Sequence, residues 1–146
     1  MKAVVQRVSQ ASVTVNGTIT GSIDNGLLVL LAIHKDDTPE QLVWMADKLL
    51  RLRIFRDEED KMNRSVQDVN GGILVVSQFT LYGDVRKGTR PSFIESAPPE
   101  KAESMYNDFV NYLKKHSTLR VETGIFGAMM DVQLTNDGPV TIILER

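Results

Sequence analysis

The sequence predicts an α+β protein with a mainly antiparallel, barrel-like curled sheet and two amphipathic helices. Three observations point there. Short alternating or apolar runs crowd both ends of the chain, two stretches with helical spacing stand apart between them, and no linker, repeat or low-complexity segment divides the 146 residues. With 42% hydrophobic and 25% charged residues, residues 1–146 fit a single domain that buries about two-thirds of its unfolded surface without crosslinks.

The elements follow in order. "MKAVVQRVSQASVTV" alternates apolar and polar residues from Ala3 onward. Val4, Val5 and Val8, then "ASVTV" and "TITGSI", read as short strands, the last two joined by the hairpin dipeptide Asn16-Gly17. Leu27 to Ile33 is continuously apolar, and its length and Gly26 boundary suit a strand buried on both faces. Thr38-Pro39-Glu40-Gln41 supplies an N-cap, a first-turn proline and a capping-box glutamine. Leu42, Met45, Ala46, Leu49 and Leu50 then recur at helical spacing. "GGILVVSQFTLYGD" reads as a strand, Ile73 to Val76, running into a loop. After "SAPPE", a second helix carries Ala102, Met105, Tyr106, Phe109, Val110 and Leu113 on one stripe, with Lys114 and Lys115 at its negative end. "TLRVET", "AMMDVQLT" and "VTIILE" read as three further strands. Between the last two, Asp137-Gly138 signals a hairpin, yet Pro139 stands where a returning strand wants a backbone N–H.

Composition excludes several chemistries. Without cysteine there is no thiol nucleophile, iron–sulfur cluster or cysteine zinc site, which fits a reducing compartment. His34 and His116, the only histidines, lack ligand spacing, so no metal is expected. No stretch reaches the roughly 18 apolar residues of a membrane span and no signal-type apolar region opens the chain, so a cytoplasmic location is expected. A net charge of −2 argues against a surface that coats duplexes, although Arg51, Arg53 and Arg56, or Arg86, Lys87 and Arg90, can hold a few phosphates.

The candidate chemistry sits at a strand end. Ser77, Gln78, Phe79 and Thr80 place hydroxyls and an amide where a ligand can meet them, and they describe a satisfied strand edge equally well. Ser77 lacks the G-x-S-x-G elbow and a histidine near it in sequence, and Thr80 is an unactivated hydroxyl.

"MKAVVQRVSQASVTV", "SQFTLYGD", "KGTRPSF" and "NDGPVTIILE", in this order from Met1 to Glu145, resemble the D-aminoacyl-tRNA deacylase family. Its enzymes hydrolyse D-amino acids wrongly esterified to tRNA. The resemblance implies a homodimer with two composite sites, no cofactor, and the 3′ acceptor end of aminoacyl-tRNA as partner. It implies that Ser77, Gln78, Phe79 and Thr80 line the pocket for the aminoacylated adenosine. Gly138-Pro139, joined by a cis peptide, is expected to enter that pocket from the partner subunit, braced by Arg7. Carbonyls of Gly138 and Pro139 facing the α-carbon are then expected to reject an L side chain and admit a D side chain or glycine. With no evident base, the substrate's own 2′-OH is expected to direct water while N–H groups near Phe79 stabilise the oxyanion. Direct catalysis by Thr80 or Ser77 is the alternative. Two readings from other classes remain beside the enzyme: a non-catalytic tRNA-binding module of the same fold, and a structural or small-ligand-binding dimer.

Overall fold

The computed structural model describes residues 1–146. Its spine is β1 (Lys2–Val15), which turns through Asn16-Gly17 into β2 (Thr18–Ile23). Both turn residues take positive φ, 49° and 78°, as a two-residue I′ hairpin requires. β3 (Gly26–Ala32) follows almost without interruption. The first half of β1 pairs with β3 and its second half with β2, both antiparallel. Its other edge is taken along nearly its full length by β8 (Asp131–Glu145).

Between β3 and β8 come α1 (Pro39–Arg51), β4 (Phe55–Arg56), β5 (Met62–Arg64), β6 (Gly72–Ser77), a 3-10 turn (Phe79–Tyr82), α2 (Pro99–His116) and β7 (Val121–Thr123). Thr38 caps α1 in a capping box with Gln41, and Pro99 opens α2. The buried residues of each helix are those of its sequence stripe.

The sheet is mainly antiparallel, as expected, through the three pairings of β1, but it is not purely so. β3 pairs with β6, and β6 with β7, in parallel. The helices supply the reason. α1 lies in the connection from β3 to β6 and α2 in that from β6 to β7, so each is a crossover that returns the chain to the same end of the sheet. Helices that look isolated in the sequence are the connectors of parallel strands. Curling then brings β7 against β2, where a methyl group on Gly21 would overlap the carbonyl of Thr123. The barrel is nearly closed there.

Two apolar clusters hold this arrangement. α1 and α2 bury Met45, Leu49, Phe109 and Leu113 against Val5, Val29 and Val75 on one face. Val8, Val13, Leu28, Leu74 and Val76 pack inside the curl on the other. β3 and β6 are therefore covered on both faces, which explains their unbroken apolar sequences. The small β4–β5 ribbon has no counterpart in the sequence reading. Its turn is organised by Asp57, which accepts N–H groups from Glu59 and Lys61 and the amide of Asn63.

A correction concerns the chain's last third. "VTIILE" and the part of "AMMDVQLT" from Asp131 onward belong to one strand, β8, with no hairpin between them, while Ala128–Met130 lie outside it. Val8 pairs with Asn136 and Gln6 with Thr141, so Asp137, Gly138, Pro139 and Val140 stand opposite Arg7 alone. They form a bulge. Proline lacks the N–H that the ladder needs, and extruding it lets the strand resume in the same direction.

Close approach of β3 and β6 starts at two glycines. A Cβ on Gly26 would overlap the carbonyl oxygen of Gly72 and lie 2.7 Å from its nitrogen. Gly26→Ala should therefore lower stability by about 2 kcal/mol or more, read as a lower denaturation midpoint at unchanged m-value. A loss under about 0.5 kcal/mol, the range of a neutral surface change, would show that the strand starts are free to part.

Candidate active site

β6 delivers its last residues to the protein surface. The N–H of Gln78 donates to the carbonyl of Leu31 at 2.8 Å, the last tie to β3, and the chain then folds into the 3-10 turn Phe79–Tyr82. Gln78 Nε2 donates to Thr80 Oγ1 at 2.5 Å. Ser96 Oγ donates to the carbonyl of Phe79 at 3.0 Å. The half-exposed ring of Phe79 meets Phe93 edge to face, with centroids 5.1 Å apart. Ser77, Gln78, Phe79 and Thr80 thus gather on one cavity of about 710 Å³. Its other walls come from Ala97 and Ala102 near the start of α2 and from the loop Phe126–Met130. Such a cavity, mostly apolar with a few polar groups at one side, suits a flat ring with polar edges.

The segment carrying Phe93 and Ser96 is clamped to the end of β3. Lys35 N–H donates to the carbonyl of Glu95 at 3.0 Å, and Ala97 N–H to that of Ile33 at 2.9 Å. The Glu95 carboxylate meets Lys35 Nζ and His34 Nε2, each at 3.0 Å. These two partners, Lys35 first, hold its carboxyl below the usual carboxylate range. Neither histidine lines the cavity. His34 is engaged with Glu95 and packs edge-on to Tyr82, while His116 stacks on Tyr112. No three His, Asp or Glu side chains gather as a metal site.

A second constellation surrounds the bulge. Arg7, only 2% exposed, donates from Nη1 to the carbonyl of Ile54 at 2.6 Å and from Nε to the carbonyl of Asp137 at 3.1 Å. Its Nε also lies 3.1 Å from the Asp137 carboxylate. The Gly138–Pro139 peptide is cis, and Gly138 has φ of 133°. A Cβ there would fall 2.8 Å from Val140 Cγ2 and 3.1 Å from Arg7 Nη2. Glycine is required on both counts.

The site residues expected from the sequence therefore come together as two groups. Ser77, Gln78, Phe79 and Thr80 share a cavity, Arg7, Gly138 and Pro139 share the bulge, and none of the second group lines that cavity in the same chain. Sequence reasoning missed Ser96 and the loop Phe126–Met130. Met129 and Met130 read in the sequence as the start of a strand, whereas they belong to this loop, with Met129 92% exposed. Among the basic candidates, Arg86 is tied to Asp84, whose carboxyl it holds at about 2. Arg51 and Arg56 pair with Asp47 and Asp60. Arg53, Lys87 and Arg90 are left without an ion pair. No helix is long and apolar enough to cross a membrane.

Comparison with known proteins identifies the family and the fold. The family described as D-Tyr-tRNA(Tyr) deacylase matches residues 4–145. D-aminoacyl-tRNA deacylase of Exiguobacterium sibiricum is 59% identical over 146 residues, covering all of both chains. The enzyme of that name from Thermosipho africanus is 57% identical, covering 99% of this chain and 97% of its own. A solved structure titled c-Myc DNA Unwinding Element Binding Protein superposes with a TM-score of 0.96 at 49% identity, covering 100% of this chain and 99% of its own. A probable eukaryotic D-amino acid tRNA deacylase, 21% identical, shares the fold with a TM-score of 0.83, covering 98% of this chain and 97% of its own. Fold and relatives together define a hydrolase that acts on aminoacyl-tRNA. The chain belongs to the D-Tyr-tRNA(Tyr) deacylase family, whose curated members carry the name D-aminoacyl-tRNA deacylase.

Proposed function

We propose that this deacylase, a single-domain cytoplasmic homodimer, positions the esterified 3′ adenosine of tRNA in the Ser77–Thr80 cavity and lets the substrate's own 2′-OH direct the attacking water. The observation that carries this reading is the absence of a base at the turn: Thr80 Oγ1 accepts from Gln78, and both histidines are engaged elsewhere. Water adds to the ester carbonyl, the bond to the ribose 3′ oxygen breaks, and that oxygen leaves with a proton. The oxyanion faces N–H groups at the start of the 3-10 turn. There Gln78 N–H is already used by Leu31, whereas first-turn N–H groups such as those of Phe79 and Thr80 have no acceptor within the turn. The paired rings of Phe79 and Phe93 offer the adenine an aromatic surface.

Handedness is read by the bulge of a second subunit. Two facts support this: the two constellations lie apart in one chain, and apolar side chains near the edge strand stay exposed, Met129 and Ile143 (67%) among them, as a surface covered by a second copy would be. Backbone of Gly138 and Pro139 beside the α-carbon collides with an L side chain, while a D side chain points away. Glycine has nothing to reject, so glycyl-tRNA is also a substrate.

The decisive experiment compares catalysts. Thr80→Ala and Ser77→Ala should each reduce D-tyrosyl-tRNA hydrolysis by less than about tenfold, the scale of one hydrogen bond. A substrate ending in 2′-deoxyadenosine should react about a hundredfold more slowly or worse. Full activity on the deoxy substrate, or a dead Thr80→Ala enzyme that still folds and binds, overturns the substrate-assisted reading.

The composite site is tested by mixing. Gly138→Ala and Phe79→Ala homodimers should each be impaired, and random 1:1 re-association should restore about a quarter of wild-type activity, because half the dimers then carry one intact composite site. Mixtures that exchange subunits yet stay inactive refute sharing between subunits.

Contacts to tRNA phosphates should fall to the unpaired cations. Replacing Lys87 and Arg90 by alanine should flatten the plot of log affinity against log salt by about 1.4, roughly 0.7 for each lost contact to a single strand. An unchanged slope would remove the loop between Asp84 and Ser92 from the tRNA path.

A further inference from the structure

One side chain closes the bulge. Asn136 stands opposite Val8 and Thr141 opposite Gln6, so two residues five apart in sequence occupy the places that neighbours on one face of a regular strand would hold. Asp137 to Val140 form a loop, and Asn136 and Thr141 are its neck. The ladder with β1 skips Val140. Asn136 Oδ1 accepts the Val140 N–H at 2.8 Å, giving it the acceptor that the ladder withholds. Asn136 Nδ2 donates to Thr141 Oγ1 at 3.0 Å, which also receives Gln6 Nε2 at 3.3 Å. Beneath the loop, Arg7 holds its first carbonyl, that of Asp137. Gly138 and Pro139 hang between two fixed points, Arg7 at the entry and Asn136 at the exit.

We propose that Asn136 is a positioning residue of the handedness filter: by clamping Val140 and Thr141 it fixes the direction of the Gly138 and Pro139 backbone and so sets discrimination between D and L esters. This rests on the reading of Gly138-Pro139 as the filter. Arg7 alone cannot fix that direction. A loop held only at its entry keeps rotational freedom at Gly138, the residue with the fewest steric limits, and a carbonyl that swings away from the α-carbon no longer excludes an L side chain. The amide does two things at the neck, accepting from Val140 and bonding Thr141, and asparagine does both from one planar group.

The test uses the full-length dimer with D- and L-tyrosyl-tRNA, measuring kcat and KM for each beside the thermal midpoint. Asn136→Ala should lower the D-to-L ratio of kcat/KM by about tenfold or more, through gain of L hydrolysis as well as loss of D. Asn136→Asp keeps an acceptor for Val140 and lets the Thr141 hydroxyl donate to the new carboxylate, so its ratio should stay within about threefold of wild type. Should Asn136→Ala fail to fold, Thr141→Val, which removes the side-chain acceptor of Asn136 Nδ2, should lower the ratio severalfold. A folded Asn136→Ala enzyme that loses D and L hydrolysis in equal proportion overturns the proposal, as does an unchanged ratio in Thr141→Val. Gly138→Ala, run alongside, separates the layers. An altered ratio there beside an unaltered one in Asn136→Ala removes only the role of Asn136, whereas an unaltered ratio in Gly138→Ala removes the filter reading and this proposal with it.

Discussion

Most of the structure follows from pairing both edges of β1. A strand with neighbours on each side has no room to absorb extra residues in a partner, so any surplus in β8 must leave the ladder. The surplus is Asp137 to Val140, and it leaves opposite Arg7. Burying that arginine then demands acceptors, because an unpaired guanidinium inside a protein is costly. The carbonyls of Ile54 and Asp137 provide them. Strand pairing, the bulge and the buried cation are one connected constraint, and loosening any of them releases the other two.

The same sheet explains where the cavity lies. Parallel pairing of β3 and β6 brings their C-terminal ends side by side, and ligands of open parallel sheets collect beyond such ends. From β6 comes the turn with Gln78, Phe79 and Thr80. From β3 come Ile33 to Lys35, which hold the segment carrying Phe93 and Ser96. Ser96 acts at the join: its hydroxyl fixes the Phe79 carbonyl, and since that carbonyl shares a rigid plane with the Thr80 N–H, the direction of the N–H is fixed too. Antiparallel pairing of β3 with β6 would have put their C-terminal ends at opposite edges and offered no such paired ends.

What was legible in the sequence divides along the range of the interactions. Local chemistry was readable: the capping box at Thr38, the I′ turn at Asn16-Gly17, the stripe from Ala102 to Leu113, and the doubly covered strand from Leu27. Polar residues at the end of β6 could be seen as well. Strand direction was not, because nothing local to Ile73 or Val121 says whether the neighbouring strand runs with it or against it. The last third misled for a related reason. Asp137-Gly138 has the composition of a reversal, and only a partner strand lying along both flanks turns it into a bulge. Ser96 escaped notice because its importance is a single contact to a backbone atom 17 positions away.

In the proposed function, the selective work falls to backbone. On that proposal the side chains near the ester are poor acids and bases, and the groups that meet it are peptide N–H and C=O, whose positions depend on fold and not on protonation. Backbone groups read shape: a carbonyl near an α-carbon responds to the direction of a substituent and is nearly indifferent to what that substituent is. The proposed filter would tolerate many D side chains for the reason that it would refuse L ones. Its accuracy would be limited by how firmly the peptide is held, which in the proposed scheme moves the selective burden outward to Arg7, Asn136 and Thr141, residues that need never touch the substrate.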